Sequence, residues 1–319
     1  MGFRPDTSSP DGLADLLEVL VVTGHACSVE EMVDYLLEAE TVADGDVDYP
    51  DERRESARRL ADGAFDVAAQ RTLVNDRSRV APGTAFDGYP FQLDYNGYRL
   101  VHVRSSDSAY EFLLALSLSY EGPRRPITNH DRKLFEEVCA RAAHAYVGGH
   151  SNPLVGSWAF GSPRRGGPWG FREALDELCH RLGECSGARD DLPVASGGDG
   201  GLDVVVWSDF PDRRPGKLIM LGQCATSRSD WTEKLHALAN PKGWFEEFML
   251  HNQPPIAAPA AATFVPFVVG ERDWGRARRD GVVLFDRQRI ACFAQGMDGN
   301  LGDECRKCAQ ELLEQAIDP

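Results

Sequence analysis

No apolar run in this sequence approaches the roughly 18 residues that a membrane-spanning helix needs. The first residues, MGFRPDTSSPDG, lack the charged and apolar regions of a signal peptide, and Asp6 breaks the N-myristoylation pattern. These absences predict a soluble, cytoplasmic protein. Cysteine is thin for the length: eight residues, at 27, 139, 179, 185, 224, 292, 305 and 308, form no dense framework, so reduced thiols are expected. Cys305 and Cys308 have zinc-like spacing but no second ligand pair to match it. A Walker loop, an HExxH helix, a dinucleotide fingerprint after a strand and a G-x-S-x-G elbow are all missing, which excludes the chemistries they carry. Positive charge is also short: 34 Lys and Arg stand against 50 Asp and Glu, a net charge of −16. Contact with a phosphate backbone needs cations, so any such contact must be local.

Aromatic residues divide the chain. All eight tyrosines lie at or before Tyr146 and all six tryptophans at or after Trp158. Two units meeting in the glycine- and proline-containing segment 148–168 follow, giving an N-terminal domain over 1–150 and a second over 151–319. In the first, Ser9 is an N-cap for a helix with Leu13, Leu16, Leu17 and Leu20 at helical spacing. Ser28 with Glu31 makes a capping box for a second helix. A charged helix follows over about 50–70, then an Asn96-Gly97 hairpin, then buried helices over 110–118 and 134–146. This acidic, mostly α-helical domain suits partner contact or orientation better than chemistry.

The chemistry is expected in residues 197–235, GGDGGLDVVVWSDFPDRRPGKLIMLGQCATSRSDWTEKL. Two apolar runs, 202–207 and 217–224, have the length and β-branched content of strands covered on both faces. Pro211, Asp212, Pro215 and Gly216 between them form turns, so an antiparallel hairpin centred near Arg213 is predicted. Symmetric pairing about that centre sets Asp203 opposite Gln223. A carboxylate in an apolar strand costs several kcal/mol unless it is paired. Asp203 therefore either caps the preceding glycine turn or holds a divalent cation together with the Gln223 side-chain oxygen, an all-oxygen shell suited to Mg²⁺ or Mn²⁺.

The order of Asp199-Gly200-Gly201-Leu202-Asp203 on one strand and Gln223-Cys224-Ala225 on the next resembles the PD-(D/E)XK restriction-endonuclease-like nucleases, above all the Mrr-like branch, over about residues 168–295. The resemblance implies an α/β restriction-endonuclease-like domain, a mixed sheet flanked by helices, that cuts DNA phosphodiester bonds with Mg²⁺ or Mn²⁺. It implies a setting in prokaryotic restriction or anti-phage defence, and the acidity of the chain predicts that DNA is bound tightly only with a protein partner subunit. Asp203 and Gln223 would hold the cation. Ala225 stands where the family has lysine. Lys234, in a helix opened by Asp230, leans back toward the strand end and would replace that lysine by orienting the attacking water. In the resembled fold the first helix often lends a glutamate; on a helix opened by Pro168, Glu177 is the candidate nearer the apolar stripe, and Glu173 lies opposite it. For nucleic acid, Arg164 and Arg165 in FGSPRRGGPWG are read as an exposed loop, either solvated or gripping phosphate. Arg276, Arg278 and Arg279 belong to a basic stripe running from Arg272 to Arg289. Residues 261–269, 281–285 and 290–293 look like further strands, and 301–316 like a closing helix. Against the enzyme stands a degenerate relative, a structural or nucleic-acid-sensing subunit, favoured by Ala225, the neutral Gln223 and the acidity.

Overall fold

A computed structural model describes residues 9–25, 27–41, 50–78, 89–94, 96–103, 109–119, 127–165, 167, 170–192, 198–228, 231–238, 240–250, 255, 257–297 and 299–317. Pro168 and Asp230, the expected openers of two helices, lie outside them, as does the Arg272 side chain. The chain forms two compact units: residues 1–127 with 302–319, and residues 128–301.

The first unit is helical with a small hairpin. It comprises α1 (Pro10–Thr23), α2 (Val29–Thr41), α3 (Pro50–Ser78), the antiparallel pair β1 (Phe91–Leu93) and β2 (Leu100–His102), and α4 (Ala109–Ser119). Its local signals act as expected. Ser9 Oγ accepts from the Gly12 N–H at 3.0 Å, and Ser28 and Glu31 exchange the two bonds of a capping box. Less expected is a charged core. Asp15 and Glu18 of α1 are fully buried, and the buried Arg71 of α3 donates to Asp15 Oδ1 at 2.8 Å and Glu18 Oε1 at 2.7 Å. The Tyr89 and Tyr110 hydroxyls donate to the same Glu18 carboxylate at 3.0 and 2.9 Å.

The second unit starts earlier than residue 150. α5 (Asn129–Tyr146) opens it, because the helix covers one face of its sheet. Then come β3 (Val155–Ala159), α6 (Phe171–Leu182), β4 (Val204–Ser208), β5 (Leu218–Cys224), α7 (Trp231–Ala237), α8 (Pro241–Phe248), β6 (Ala260–Phe264), α9 (Glu271–Asp280), β7 (Val283–Phe285) and α10 (Arg287–Phe293). α11 (Gly299–Ile317) closes the chain, and most of it clusters with the first unit. The sheet has the order β3-β4-β5-β6-β7; β3, β4 and β5 run antiparallel, while β6 and β7 run parallel to β5. The unit is thus a five-stranded mixed sheet between helices. Residues 290–293 are helical rather than extended, since Asp286 accepts from the Arg289 N–H at 3.1 Å and caps α10. A short apolar run does not distinguish the two conformations. Among the described residues no helix is long and apolar enough to cross a membrane.

The predicted β4–β5 hairpin forms in the expected register: Val204 pairs with Gly222 and Ser208 with Leu218, centred on Arg213. Gly222 is needed there, because a side chain at that point would meet the Phe264 ring and lie 3.4 Å from Val204 Cβ.

Arg71 donates to two fully buried acids at once, so deleting it removes both charge-assisted bonds together. Arg71→Met should destabilise the protein by about 3–5 kcal/mol, the usual cost of breaking a buried pair from one side. Urea unfolding followed by Tyr fluorescence, with every tyrosine but Tyr146 in the first unit, measures it; a loss below about 1 kcal/mol, the range of an exposed pair, would show that the cluster is not the core of this unit.

Candidate active site

Three strand ends meet at one edge of the second unit's sheet. Because β4 runs against both neighbours, its start lies between the ends of β3 and β5. The chain enters β4 through Asp199-Gly200-Gly201. Asp199 Oδ1 accepts from the Gly201 N–H at 2.9 Å, and both glycines are left-handed, at φ 60° and 75°, a conformation costly for other residues. The acid that caps this turn is therefore Asp199. Asp203 is spent differently: its Oδ2 accepts from the Cys224 backbone N–H at 2.7 Å, across the hairpin.

The opposing Gln223 is buried, 7% exposed. Its amide nitrogen donates to Gly201 O, while among the described residues its Oε1 has no partner at all. Asp203 and Gln223 thus stand side by side as anticipated, and the carboxamide oxygen is an acceptor with nothing to accept from.

Glu136 joins them from α5. A side chain at Gly161 would collide with its carboxylate, and the Gly161 N–H donates to Asp203 O at 3.1 Å, so this glycine is the close contact between the two acids' segments. Burial, and next the charge of Asp203, push the Glu136 carboxyl up to about 8. Burial likewise lifts Asp203 to about 6, against the Cys224 hydrogen bond and the charge of Lys234, which favour its ionised form.

Two lysines flank the acids, and hydrogen-bond accounting separates them. Lys133 Nζ donates to Glu136 Oε2 at 2.9 Å, Ala159 O at 3.0 Å and Gly161 O at 2.8 Å. Its three donors are used, so it holds Glu136 in place. Lys234 Nζ, reaching back from α7, donates to Cys224 O at 2.9 Å, its one hydrogen bond among the described residues, which leaves two of its three donors open there. The lean anticipated for Lys234 is therefore present.

Other candidates fall elsewhere. Glu177 sits on the outer side of α6, paired with Arg181 at 2.7 Å, and takes no part in the site. The acid comes from the helix before β3 rather than from α6. Arg164 is not exposed but 2% accessible, its guanidinium 4.5 Å above the Phe160 ring and donating to Gly198 O; Asp199 and Glu136 are its charged neighbours. Arg165 is partly exposed and pairs with Glu137 at 3.3 Å. On α9, Arg276 pairs with Asp273 at 3.2 Å, and Arg278 and Arg279 are exposed. The stripe is interrupted beyond them: Arg287 is fully buried, donating to Pro266 O at 2.8 Å, and Arg289 stacks on Trp274 at 4.2 Å. Ala225 is fully buried in an apolar cluster with Trp231 and Leu235.

Glu136 and Lys133 escape the sequence reading because a boundary near residue 150 leaves α5 in the N-terminal domain. The available signal is faint: Lys133 and Glu136 are interleaved with Leu134, Phe135, Val138 and Cys139 in a helix that also carries Asp131, Arg132, Glu137 and Arg141.

No family model matches this chain, and no curated protein matches it. Among solved structures, it is similar to the MspJI restriction endonuclease in complex with a 27-mer oligonucleotide, at 14% identity and a TM-score of 0.32, covering 69% of this chain and 41% of that one. A second is protein VC1899 from Vibrio cholerae, at 13% identity and a TM-score of 0.20, covering 95% and 82%. This chain spans less than half the length of the endonuclease, and overlaps this loose carry no weight for activity.

Because both acids bind a proton more tightly folded than unfolded, stability is highest where both states are protonated and falls as pH rises through the ordinary carboxylate range to about 8. Without added divalent cations, Glu136→Gln should gain melting temperature relative to wild type between about pH 5 and about pH 9. A difference that does not change with pH would remove the raised Glu136 carboxyl.

Proposed function

We propose that this chain is a metal-dependent nuclease that hydrolyses phosphodiester bonds in DNA, with its site at Glu136, Asp203 and Gln223. The carrying observation is the orphaned Gln223 oxygen, buried on the strand paired with the one that Asp203 enters, where Glu136 is electrostatically coupled to Asp203. A buried acceptor without a donor costs about 1–3 kcal/mol, and a cation removes that cost. Among the described residues no three of His, Cys, Asp and Glu gather closely enough to hold a metal by themselves. Two carboxylates and an amide oxygen nonetheless fit Mg²⁺ or Mn²⁺, which commonly take one or two carboxylates and complete their shell with water. Among soft or nitrogen-seeking metals none suits an all-oxygen set.

When bound, such a cation would supply Lewis-acid stabilisation of charge on the phosphoryl oxygens. The protein's own groups do the rest. Asp203, Gln223 and Glu136 would hold the ion, Lys133 keeps Glu136 aimed, and the two open donors of Lys234 would orient the attacking water and bond the phosphoryl oxygens as charge develops. The two-motif resemblance and the five-stranded mixed sheet support this reading, together with a place in prokaryotic restriction or anti-phage defence. A net charge of −16 supports a partner subunit that supplies most of the DNA affinity. Arg278 and Arg279 on α9, which packs beside α7, are the exposed cations best placed to help, and Arg164, Arg165 and Arg276 are already engaged.

A second reading, a structural or nucleic-acid-sensing subunit without catalysis, is favoured by one observation. Ala225 is sealed among apolar side chains, leaving no room for a lysine on its strand.

Thermal shift and nicking of supercoiled DNA separate these. Mn²⁺ should raise the melting temperature of wild type by mass action and not that of Asp203→Asn. Lys234→Ala should keep the shift and lose on the order of 10²-fold in nicking rate, the scale of one positioned electrostatic donor. A Mn²⁺ shift with no nicking by wild type, with or without its partner, supports the second reading; equal shifts in wild type and Asp203→Asn defeat the metal site.

A further inference from the structure

Away from the acids, the end of α6 gathers three sulfur atoms. Cys179, in the last turn, is 4% exposed, and Met249, immediately after α8, is 2% exposed. The Cys179 thiol donates to Met249 Sδ at 3.4 Å. The chain then turns at Gly183, left-handed at φ 63°, and returns with Cys185, whose thiol lies beside that of Cys179. Backbone bonds hold these segments together independently of the sulfurs. Ala188 and Met249 form an isolated β-bridge, the Leu250 N–H donates to Gly187 O at 3.0 Å, and the Ala188 N–H donates to Asp176 Oδ1 at 2.8 Å.

We propose that Cys179, Cys185 and Met249 form a binding site for a soft monovalent d¹⁰ cation, of which Cu(I) is the biological case. Thiolate and thioether ligands select such ions over hard ones. Zinc is a poor fit, because it takes four nitrogen, oxygen or thiolate ligands rather than a thioether. Charge selects the same class. The Cys185 thiol and the Gly187 N–H both donate to the Cys179 sulfur, so Cys179 is the sulfur placed to bind as a thiolate, with Cys185 and Met249 as neutral ligands. One thiolate with one monovalent cation is neutral, which an apolar cluster of this kind accommodates; a divalent ion would leave a buried net charge. Binding releases the Cys179 proton to solvent and changes no oxidation state. Entry runs past Cys185, the one sulfur of the three that is only partly buried.

Ag(I), which has the same coordination preference and does not oxidise or reduce thiols under these conditions, is the probe. Native mass spectrometry of the full chain titrated with Ag(I) in chloride-free, thiol-free buffer counts bound ions; the count is compared between variants because the buried Cys139 and Cys224 thiols also lie side by side. Cys179→Ser should bind one Ag(I) fewer than wild type. Met249→Leu, which conserves volume and keeps the fold, should weaken that ion on the order of tenfold or more in competition with bicinchoninate. Far-ultraviolet circular dichroism confirms folding, and if Cys179→Ser fails to fold, the Met249→Leu affinity decides. Unchanged stoichiometry and affinity in the folded variants would overturn the site. So would purified protein lighter by two hydrogens with a Cys179–Cys185 crosslinked peptide, since a disulfide leaves no thiolate to bind.

Discussion

The hydrogen bond from the Cys224 backbone N–H to Asp203 Oδ2 ties the sheet to the site. An aspartate at the mouth of an apolar strand is tolerable only where its charge is answered, and here a neighbouring strand answers it in place of a backbone carbonyl. The bond exists only in the register centred on Arg213. A slip of one residue would turn the carboxylate from the Cys224 N–H and send Gln223 to the other face. The turn sequence, the register and the acid's position are therefore one constraint.

The surroundings of that bond show how a buried polar cluster remains orderly. Glu136, Asp199 and Asp203 face Lys133, Lys234 and Arg164, three of each sign. The cations are not interchangeable. Lys133 has all three donors in use, Arg164 is packed on Phe160 with Nε and Nη1 unbonded among the described residues, and Lys234 makes a single bond, to Cys224 O. Glu136 and Asp203 keep raised affinities for protons despite these neighbours, because burial outweighs the attraction. Such strain in a polar cluster is common where a further charged group is to be accepted.

Much of this was legible in the sequence because it is local. The hairpin could be centred from its turn residues, the caps of α1 and α2 from Ser9, Ser28 and Glu31, and the backward lean of Lys234 from helical geometry. What escaped was long-range. Nothing in residues 129–146 says which sheet the helix will cover, so Glu136 and Lys133 read as part of a helical N-terminal domain, and the resemblance points to Glu177 for the glutamate. Arg164 misled for a related reason: flanking glycines suggest an exposed loop, and only the fold brings Phe160 beneath its guanidinium. The segment 290–293 was ambiguous in principle, being too short for its periodicity to declare itself until Asp286 capped it.

The division of the site between near and far pieces shapes how it can come into being. Asp203, Gln223 and Lys234 lie on one hairpin and the helix after it, so their mutual placement needs only short loop closures. Glu136 and Lys133 arrive on a helix that precedes the whole sheet in the chain, with β3 and α6 intervening. Ordering that contact carries the larger entropic cost and comes late. A nascent or partly opened chain can hold the hairpin half intact while α5 is undocked, and in that state it has neither the second carboxylate nor the lysine that aims it. Completion of the acidic cluster thus waits on the docking of α5.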